Sequence, residues 1–462
     1  MLRLDPALAR TVDHLCQAVK AAGGRALAVG GSVRDSLWGE IAHDVDLEVY
    51  GLEAGDLERL LRQHHAIDTV GRAFGVFKVR GYPIDVSLPR RESRIGSGHR
   101  DFKVEGDPAM PPEEAARRRD FTINAIACDP LTGIIIDPCN GRDDLQQRRL
   151  RHTSGAFAED PLRVLRGMQL IARFELEPAP ETIALCATMT QDDLPPERLY
   201  EEWKKLIVLG RRPSAGLAFL KDCGWLRFYP ELAALDGCPQ DPDWHPEGDV
   251  WTHTLHCLDA FSQAKTGHDE EDLIVGLAVL CHDMGKPSTT FTDTDGRIRS
   301  PGHEQTGEDP TRRFIARLTA RVDLPEAVVP LVVTHLRPVE LYKSDASDAA
   351  IRRLARKVGR IDRLVRLAQA DMGGRPPKSA DFPAGPWLLE RAAALDVRDH
   401  APRPLILGRE LIARGMKPGP AFKPILDACF EAQLDGHFTT HEDGLVFLDH
   451  YLATPPPGRT EG

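Results

Sequence analysis

Three acidic side chains, Asp44, Asp46 and Glu48, stand at alternate positions in the stretch AVGGSVRDSLWGEIAHDVDLEVYG, residues 28 to 51. The apolar residues between them predict a β-strand, in which successive side chains point to opposite faces. The three carboxylates therefore share one face, where like charges repel and burying each of them unpaired would cost several kcal/mol. A cation between them removes that cost, and Mg²⁺ is the hard cation that carboxylates bind together with substrate phosphates.

The residues just before this strand could hold the phosphates of a nucleotide. Gly30 and Gly31 lie where a predicted strand turns into a predicted helix. Glycines at such a turn let backbone N–H groups approach a phosphate closely, and Arg34 could bind a phosphate oxygen. Asp44 and Asp46 would then bind Mg²⁺, and two such ions can activate an attacking hydroxyl and stabilise a leaving pyrophosphate.

A third carboxylate usually completes such a site, and the candidates are Glu48 and Asp85. Asp85 lies in GYPIDVSLPR, on a neighbouring predicted strand from which it can approach the acidic pair. The alternative is a simple strand–helix turn followed by an acidic strand that faces solvent. The motif GGxVRD, followed nine residues later by DxD, favours nucleotidyl transfer over that alternative.

A second group of chemistry-bearing residues lies in the C-terminal half. His253, the pair His282–Asp283 and Asp371 resemble HD phosphohydrolases in their order and approximate spacing. Neutral imidazoles with carboxylates suit Mn, Fe, Co, Ni or Mg, and a bound water would be the nucleophile. His303 and His335 could complete a second metal position. The weaker candidates are His245, His256 and Glu304. Any one histidine is also explained as a core or surface residue, but an apolar run that ends in His-Asp and then Met-Gly-Lys is hard to explain as packing.

The elements that must position these residues change character near residue 145. Before it, short apolar runs predict strands mixed with helices, as in an α/β or α+β domain. These runs are Ala26–Val29, Val45–Tyr50, Gly75–Val79, Ile84–Val86 and Ile134–Ile136. After it, apolar residues spaced i, i+3, i+4 predict helices almost throughout. The clearest of these are Leu162–Phe174, Leu199–Leu209, Ala215–Leu220 and Thr254–Ala264.

The composition is that of an ordinary globular protein. The chain has 462 residues, 42% hydrophobic and 28% charged, and this length suggests about three domains. Nine cysteines without a CxxC motif predict reduced thiols and a cytoplasmic location.

We expect neither a secretory signal nor a membrane span. A net charge of −11 argues against sequence-blind coating of nucleic acid. Residues 373–386, rich in Pro and Gly, predict a boundary, and residues 454–462 a disordered tail.

Taken together, these stretches resemble the bacterial tRNA nucleotidyltransferases (CCA-adding enzymes), a class shared with bacterial poly(A) polymerases. The motifs that carry the resemblance are RRESRIGSGHRDF, RRRDFTINAIACD, DPCNGRDDLQQRRLRH, AEDPLRVLRGMQLIARF and PPERLYEEWKKLI. The resemblance implies an α+β fold: a DNA polymerase β-like head with a mixed sheet and helices, followed by helical parts. The domains implied are the head (1–145), a helical neck (146–235), an HD domain (236–372) and a helical tail (373–462).

The second of these motifs carries residues that suit a nucleoside triphosphate. Arg118 and Arg119 offer forked donors for phosphate, and Asp120 and Asn124 offer polar groups for the ribose. The family's roles for this motif imply that all four bind the nucleotide.

The EDPLR motif could choose the base. Asp160 and Arg163 are three residues apart, hence on one face of a helix, and an acceptor beside a donor fits cytosine and adenine. Guanine and uracil present a carbonyl where the amino group should be, so the carboxylate would repel them. The alternative is that Asp160 only caps a helix that starts at Pro161. Arg166 resembles a nucleotide-binding arginine of the family, but Gln169 stands where an arginine is common, which weakens the expected hold on phosphate.

The sequence thus predicts an enzyme that adds CMP and AMP to the 3′ end of tRNA without a template, from CTP and ATP with Mg²⁺. The resemblance implies phosphatase and 2′,3′-cyclic phosphodiesterase activity in the HD domain, with a divalent metal. A poly(A) polymerase or a CC-only or A-only enzyme would share the head, although the full-length loop from Arg91 to Pro108 disfavours a CC-only enzyme. From another class, the chain could be an HD nucleotide phosphohydrolase with a non-catalytic RNA-binding head, which Asp44 and Asp46 argue against. No membrane partner is expected, and the oligomeric state is left open.

Overall fold

The computed structural model describes residues 2–70, 76–94, 102–191, 194–378 and 381–453. The chain divides into two compact units, Met1–Phe228 and Tyr229–Gly462. The first unit combines a mixed β-sheet with helices and the second is almost wholly helical, which confirms the predicted α+β class. A membrane-crossing helix, long and apolar enough to span a bilayer, is not found in the described part of the chain.

A mixed sheet forms the centre of the first unit. The strands of the whole chain are β1 (Arg25–Val29), β2 (Val45–Tyr50), β3 (Ile67–Val70), β4 (Val76–Val79), β5 (Ile84–Ser87), β6 (Arg90–Arg94), β7 (Phe102–Gly106), β8 (Ala127–Cys128), β9 (Ile135–Ile136), β10 (Arg149–Leu150), β11 (Glu177–Pro178), β12 (Phe291–Thr292) and β13 (Ile298–Arg299). Among the described residues the central sheet has seven strands, in the order β3-β4-β5-β2-β1-β8-β9. Strand β2 is antiparallel to β1 and parallel to β5, so the acidic strand lies inside the sheet.

Helices surround this sheet and build the second unit. Those of the first unit are α1 (Pro6–Ala21), α2 (Gly31–Leu37), α3 (Ala54–His64), α4 (Pro112–Arg117), α5 (Gly141–Gln146), α6 (Leu162–Phe174), α7 (Pro180–Ala187), α8 (Pro196–Leu209) and α9 (Pro213–Asp222), with 3₁₀ turns at Thr122–Asn124, Gly155–Glu159 and Trp225–Phe228. Those of the second unit are α10 (Pro230–Ala233), α11 (Val250–Ser262), α12 (Asp269–Cys281), α13 (Lys286–Thr289), α14 (His303–Thr306), α15 (Glu308–Leu318), α16 (Asp323–Val332), α17 (Arg337–Lys343), α18 (Asp348–Val358), α19 (Ile361–Gly373), α20 (Ala384–Ala394), α21 (Gly408–Ala413), α22 (Phe422–Leu434) and α23 (His441–Ala453).

The alternation of side chains along β2 separates the core from the acids. Val45, Leu47 and Val49 are buried in a hydrophobic cluster to which α1 and α3 also contribute. Asp46 points to the other face of the sheet, where it lines a cavity and is in part accessible to solvent. Burial of the apolar set at about 25 cal/mol per Å² therefore fixes which way the carboxylate points.

The predicted elements are largely confirmed, with some changes of boundary. Strand β2 and helix α6 have the predicted limits. Helix α11 begins one turn before the predicted Thr254, because Asp249 caps it by accepting a hydrogen bond from the Thr252 N–H (2.9 Å). The predicted strand start at Gly75, part of the loop from Arg91 to Pro108 and the tail 454–462 lie outside the described residues.

Helix α6, at whose start the EDPLR motif ends, packs against α8 and α9. Gly216 on α9 makes that packing possible, since a Cβ there would lie 2.4 Å from the Met168 carbonyl oxygen. Packing of its buried face fixes the position of α6. The polar residues of α6 line the same cavity as the turn after β1.

In the second unit, α11, α12 and α19 pack against one another. They bring His253, His282 and Asp371 together from three separate parts of the chain. Helix α20, from the predicted tail, packs on α17, α18 and α19 of the predicted HD domain. The finer division into head, neck, HD domain and tail stays a prediction.

Candidate nucleotide site and candidate metal centre

The predicted catalytic carboxylates gather on the central sheet. Asp46 and Asp85 are direct neighbours in the parallel pairing of β2 with β5, and Asp44 lies one residue before β2. Partial burial raises the pKa of Asp46; Arg119 opposes that rise, and the nearby charges of Asp44 and Asp85 add to it. Oxygen donors of this kind are the ligands of hard divalent cations. Asp85 also pairs with Lys78 (3.1 Å), and the three carboxylates are not among the groups of the described residues whose ligand atoms all lie within 4.8 Å of one another.

Unlike these three acids, Glu48 is engaged by two neighbouring side chains. It is buried, accepts a hydrogen bond from the Tyr50 hydroxyl (2.5 Å) and forms an ion pair with Arg119 (2.9 Å). Burial and the Glu48 charge raise the pKa of Tyr50, which keeps its hydroxyl as a donor. Glu48 therefore orients Arg119, and of the two candidates Asp85 is the one beside Asp46.

The turn after β1 needs a glycine. Gly30 has a φ of 74°, and a Cβ at this position would lie 3.4 Å from Asp46 Oδ2. A side chain would be strained there and would crowd the carboxylate. Gly31 begins α2, and Arg34 lies one turn further on in the same short helix.

A chain of buried polar groups connects this turn to α6. Arg34 Nη1 donates to Asn124 Oδ1 (2.7 Å), and Asn124 Nδ2 donates to Asp120 Oδ1 (3.2 Å). Arg166 Nε donates to Asp120 Oδ2 (2.7 Å). Burial acts to raise the pKa of Asp120, but Arg166 and these hydrogen bonds lower it overall. Asp120 and Asn124, predicted to face a ribose, therefore also hold two arginines in place.

Asp160 and Arg163 are both held in place by neighbours. Asp160 Oδ1 accepts from the Leu162 N–H (3.1 Å), and Oδ2 pairs with Arg198 (2.8 Å). Arg163 donates to the carbonyl oxygens of residues 156 and 118 (2.8 and 2.9 Å). Helix α6 begins at Leu162, one residue after the Pro161 start that the capping alternative assumed. The prediction that Asp160 and Arg163 share one face of a helix is wrong, because Asp160 has an extended backbone and lies before α6. Asp160 thus makes the capping contact and also lines the cavity.

One cavity of about 520 Å³ unites most of the predicted nucleotide-binding residues. Those that line it are Gly30, Gly31, Arg34, Asp44, Asp46, Arg119, Asp120, Asn124, Asp160, Arg163 and Arg166. Arg118 and Asp85 instead line a second cavity of about 340 Å³, which shares Asp46 and Arg119 with the first. Asp46 therefore stands at the border of two adjoining cavities.

Three cations that line the larger cavity were missed from the sequence: Arg173, Arg198 and Lys205. All three lie in quoted motifs, so the signal was present, but long side chains at those spacings could equally face solvent. Gln169 also lines the cavity, and Arg173 donates to its side-chain oxygen (3.4 Å).

In the second unit the predicted metal residues meet in a buried cluster. His253 Nε2 lies 3.4 Å from His282 Nε2 and 3.1 Å from Asp371 Oδ1. Asp283 extends the cluster, with Oδ2 3.2 Å from His282 Nε2 and Oδ1 3.3 Å from His303 Nε2. His303 Nε2 is in turn 3.4 Å from His335 Nε2. All six predicted ligands are brought together. Of the weaker candidates, His245 lies next to Glu247 (2.9 Å), Glu304 lies 3.6 Å from His303 Nδ1, and His256 is in none of the described metal-binding groups.

The other ring nitrogen of each histidine has its own acceptor. In His282, His303 and His335, Nδ1 lies 2.7–2.8 Å from the carbonyl oxygen three residues earlier. In His253, Nδ1 lies 2.8 Å from the Glu247 carboxylate. These acceptors assign a proton to Nδ1 in each ring, so that each ring, when neutral, presents its Nε2 lone pair to the cluster. Metal-binding histidines are oriented in this way by their outer neighbours.

Charge around the cluster also fits divalent metals. Burial acts to raise the pKa values of Asp283 and Asp371, yet neighbouring cations and histidines hold both well below their usual range. Burial, chiefly, lowers the pKa of His335 to about 3, so this ring is neutral. Lys286 Nζ lies 2.7 Å from Asp283 Oδ2, but neither oxygen of Asp283 accepts a well-oriented hydrogen bond in the described ranges. Burial acts to lower the pKa values of His253 and His303, yet Cys257 beside His253 and Asp283 beside His303 raise them overall. Since deprotonated carboxylates and neutral imidazoles are the forms that bind metal, metal binding would release protons from these two rings.

A cavity of about 250 Å³ opens onto this cluster. Lys286 and Arg375 line it, and each pairs with a carboxylate of the cluster. Trp244 lies at the cavity with 63% of its surface exposed. Sequence reasoning missed the roles of Glu247 and Arg375, which no spacing rule connects to the histidines.

Comparisons with known proteins place the chain in a family. A family model described as the Poly A polymerase head domain matches residues 26–151. The multifunctional CCA protein of Xanthomonas campestris pv. campestris (strain B100) is 38% identical over 408 residues, which cover 85% of this chain and 93% of that protein. The protein of the same name from Stenotrophomonas maltophilia (strain K279a) is 37% identical, over 80% of this chain and 91% of its own.

Solved structures share the fold over nearly the whole chain. The CCA-adding enzyme of Bacillus stearothermophilus in complex with CTP superposes with a TM-score of 0.66 at 22% identity, covering 97% of this chain and 98% of that one. The Thermotoga maritima CCA-adding enzyme complexed with tRNA has a TM-score of 0.59 at 17% identity, covering 97% of each chain.

Proposed function

The chain belongs to the family of multifunctional CCA proteins, and on that premise we propose that it adds CMP and AMP to the 3′ end of tRNA, with CTP and ATP as substrates. The names of its relatives support CCA addition. The observation in this chain that carries the proposal is the pairing of Asp46 with Asp85 across β2 and β5, beside a cavity rich in arginine.

Membership of this nucleotidyltransferase family implies dependence on a divalent metal, and we propose Mg²⁺ held by Asp44, Asp46 and Asp85. Bound there, Mg²⁺ would supply positive charge to the α-phosphate and make the attacking hydroxyl easier to ionise. In the reaction, the tRNA 3′ oxygen forms a bond to the α-phosphorus while the bond to pyrophosphate breaks. Arg119, oriented by Glu48, is placed to bind the phosphate oxygens at the border of the two cavities.

We propose that Asp160 and Arg163, at the start of α6, select the base. Asp160 would accept a hydrogen bond from the amino group of cytosine or adenine, while Arg163 would donate one to the adjacent ring nitrogen. Their protein contacts support this role, because Arg198 and two carbonyl oxygens hold both side chains at the cavity before any base is present. Side chains oriented in advance lose less entropy on binding.

The test is substitution of the carboxylate pair. Asp44→Ala or Asp46→Ala should remove nearly all addition of CMP and AMP while tRNA binding persists, since these acids hold metal and not RNA. Asp68→Ala, which removes an exposed carboxylate of β3 in the same sheet, is the matched control. A rate above about a tenth of the unsubstituted one would contradict the assignment, because loss of a metal ligand should cost several kcal/mol. Supplying each labelled nucleotide in turn separates a CCA-adding enzyme from a poly(A) polymerase, which would not incorporate CMP.

A second activity is proposed for the second unit: metal-dependent hydrolysis of phosphoesters, including 2′,3′-cyclic phosphates. It is supported by the four Nε2 atoms that converge beside Asp283 and Asp371. Mn, Fe, Co, Ni or Mg held there would supply the positive charge that activates a water nucleophile. Lys286 and Arg375 are placed to bind the phosphate oxygens in the adjoining cavity.

The two activities should be separable. Replacing His282 and Asp283 together with Ala should abolish hydrolysis of a 2′,3′-cyclic phosphate or a simple phosphomonoester, and chelation should do the same. Addition of CMP and AMP should continue at close to the normal rate, because the two sites lie in different compact units. Hydrolysis that survived both treatments would mean that the histidines are structural.

The four-part domain division and a cytoplasmic location are likewise proposals. The nine cysteines support the location, since all of them are free thiols.

A further inference from the structure

One buried nucleophile of the metal cluster has no role in the proposed hydrolysis. Cys257 lies one helical turn after His253 on α11 and is completely buried. Its Sγ is 3.3 Å from His253 Nε2. The ligand atoms of Cys257, His253, His282 and Asp371 all lie within 4.8 Å of one another.

The distances from His253 Nε2 match the edges of a tetrahedral metal site. Metal–nitrogen bonds of about 2.05 Å and metal–sulfur bonds of about 2.3 Å place two nitrogens about 3.4 Å apart, and nitrogen and sulfur about 3.6 Å apart. The measured separations from His253 Nε2 are 3.4 Å to the His282 nitrogen, 3.3 Å to the sulfur and 3.1 Å to the Asp371 oxygen. All three lie within a few tenths of an ångström of those edges.

Independent features of the same cluster point to a bound cation. The Nε2 atoms of His253 and His282 lie 3.4 Å apart, while Nδ1 of each ring lies within hydrogen-bond distance of another acceptor. A metal bound to both Nε2 atoms would therefore leave the contacts of Nδ1 in place. Asp283, which is 1% exposed, adds a carboxylate without a well-oriented hydrogen bond in the described ranges.

The fold also makes room for the sulfur. A Cβ at Gly374 would lie 2.2 Å from Cys257 Sγ, so only glycine fits there. The Gly374 carbonyl oxygen lies 3.2 Å from His253 Nδ1. One glycine therefore accommodates the thiol and contacts the neighbouring histidine.

We propose that Cys257 is a metal ligand in the second unit, together with His253, His282 and Asp371. This rests on the metal centre proposed above. On binding, the thiol loses its proton to solvent and the sulfur lone pair forms the bond to the metal, with no change of oxidation state. A thiolate makes the centre favour Zn²⁺ or Co²⁺ over Mg²⁺, because softer donors select these metals.

The test uses the full chain loaded with Co²⁺, whose thiolate complexes absorb in the near ultraviolet by charge transfer while histidine and carboxylate ligation gives only weak visible bands. The unsubstituted chain should have both kinds of band. Cys257→Ser and Cys257→Ala should keep the visible bands and lose the charge-transfer band. Cys281→Ala, which removes a buried thiol next to His282 but outside the described metal groups, is the control and should keep both.

Affinity provides a second measurement. Cys257→Ser should weaken Zn²⁺ binding by more than about tenfold, since even outer-shell changes cost 10–100-fold, and should leave Mg²⁺ binding nearly unchanged. Visible cobalt bands without a charge-transfer band in the unsubstituted chain would refute ligation by Cys257 while leaving the metal centre intact. Failure of the chain to bind cobalt at all would instead overturn the metal centre itself.

Discussion

The substitution Asp160→Ala separates reading of the base from capping of α6. Asp160 makes two contacts, one with the Leu162 N–H (3.1 Å) and one with Arg198 (2.8 Å). If its carboxylate also accepts a hydrogen bond from the amino group of cytosine or adenine, then removal of the carboxylate should allow UTP and GTP to react. The acceptor that repels their carbonyl groups would then be gone.

The magnitudes of the two effects differ. Loss of a capping contact costs about 0.5–2 kcal/mol of stability, and the pair with Arg198 adds at most about 1 kcal/mol, since the arginine side chain is 48% exposed. A good bidentate contact is worth about 1–3 kcal/mol of base discrimination, or about 5- to 150-fold in the ratio of rates. We therefore expect the preference for CTP over UTP, and for ATP over GTP, to fall by that factor.

The assay is single-turnover addition to tRNA ending at the discriminator base, C or CC, with each of the four nucleotides, beside thermal unfolding of each variant. Asp5→Ala is the matched control, because Asp5 also accepts from the N–H two residues ahead (Ala7, 2.8 Å) at a helix start. It should lose similar stability and keep full discrimination. Asp160→Ala with lost stability but an unchanged preference for C and A would refute base reading and leave only the cap.

Three further predictions concern the same unit. Asp120→Asn removes the negative charge that pairs with Arg166. Since the Arg166 side chain is 38% exposed, we expect a loss of about 1–3 kcal/mol in the free energy of urea unfolding, below the range for a fully buried pair. Because the pKa of Asp120 is lowered, its contribution to stability is present above the pKa of the unfolded chain and is lost as the pH falls through the folded pKa. The difference in stability from the variant should therefore shrink in acid, and a difference constant with pH would contradict this. Gln169→Arg adds a cation to the cavity and should lower KM for CTP and ATP together; a changed ratio between the two would place position 169 at the base and not the phosphates. Tyr50→Phe removes the hydroxyl that donates to Glu48 and should lower the free energy of unfolding by about 1 kcal/mol. It should also raise KM for the nucleotide and leave tRNA binding nearly unchanged. An unchanged KM would mean that Glu48 orients Arg119 without the hydrogen bond from Tyr50.

Local patterns in the sequence were enough to predict elements and their types. The limits of α6 follow from its apolar spacing, and those of β2 from alternation of apolar and acidic residues. Most of the residues that motif resemblance singled out in the first unit line one cavity. The residues predicted to bind metal in the second unit also lie together, and their roles stay a prediction.

Contacts between distant segments could not be predicted in the same way. Both Glu48 and Asp85 fitted the third carboxylate, and only the pairing of β2 with β5 places Asp85 beside Asp46 while Tyr50 engages Glu48. Cys257 was read as one of nine reduced thiols, since its approach to His282 depends on how two helices pack. Sequence spacing describes neighbours on one element and carries little information about neighbours across two.

The pairing of Asp46 with Asp85 also has an evolutionary consequence. Insertion or deletion of one residue within β2 would turn the acid inward and a buried aliphatic side chain outward. Selection for a stable fold therefore also acts against such insertions and deletions and preserves the direction of the carboxylate, whereas only selection for activity acts against replacement of Asp46 itself. Asp160 and Arg163, proposed to choose the base, lie outside the sheet, so no strand register constrains these two positions.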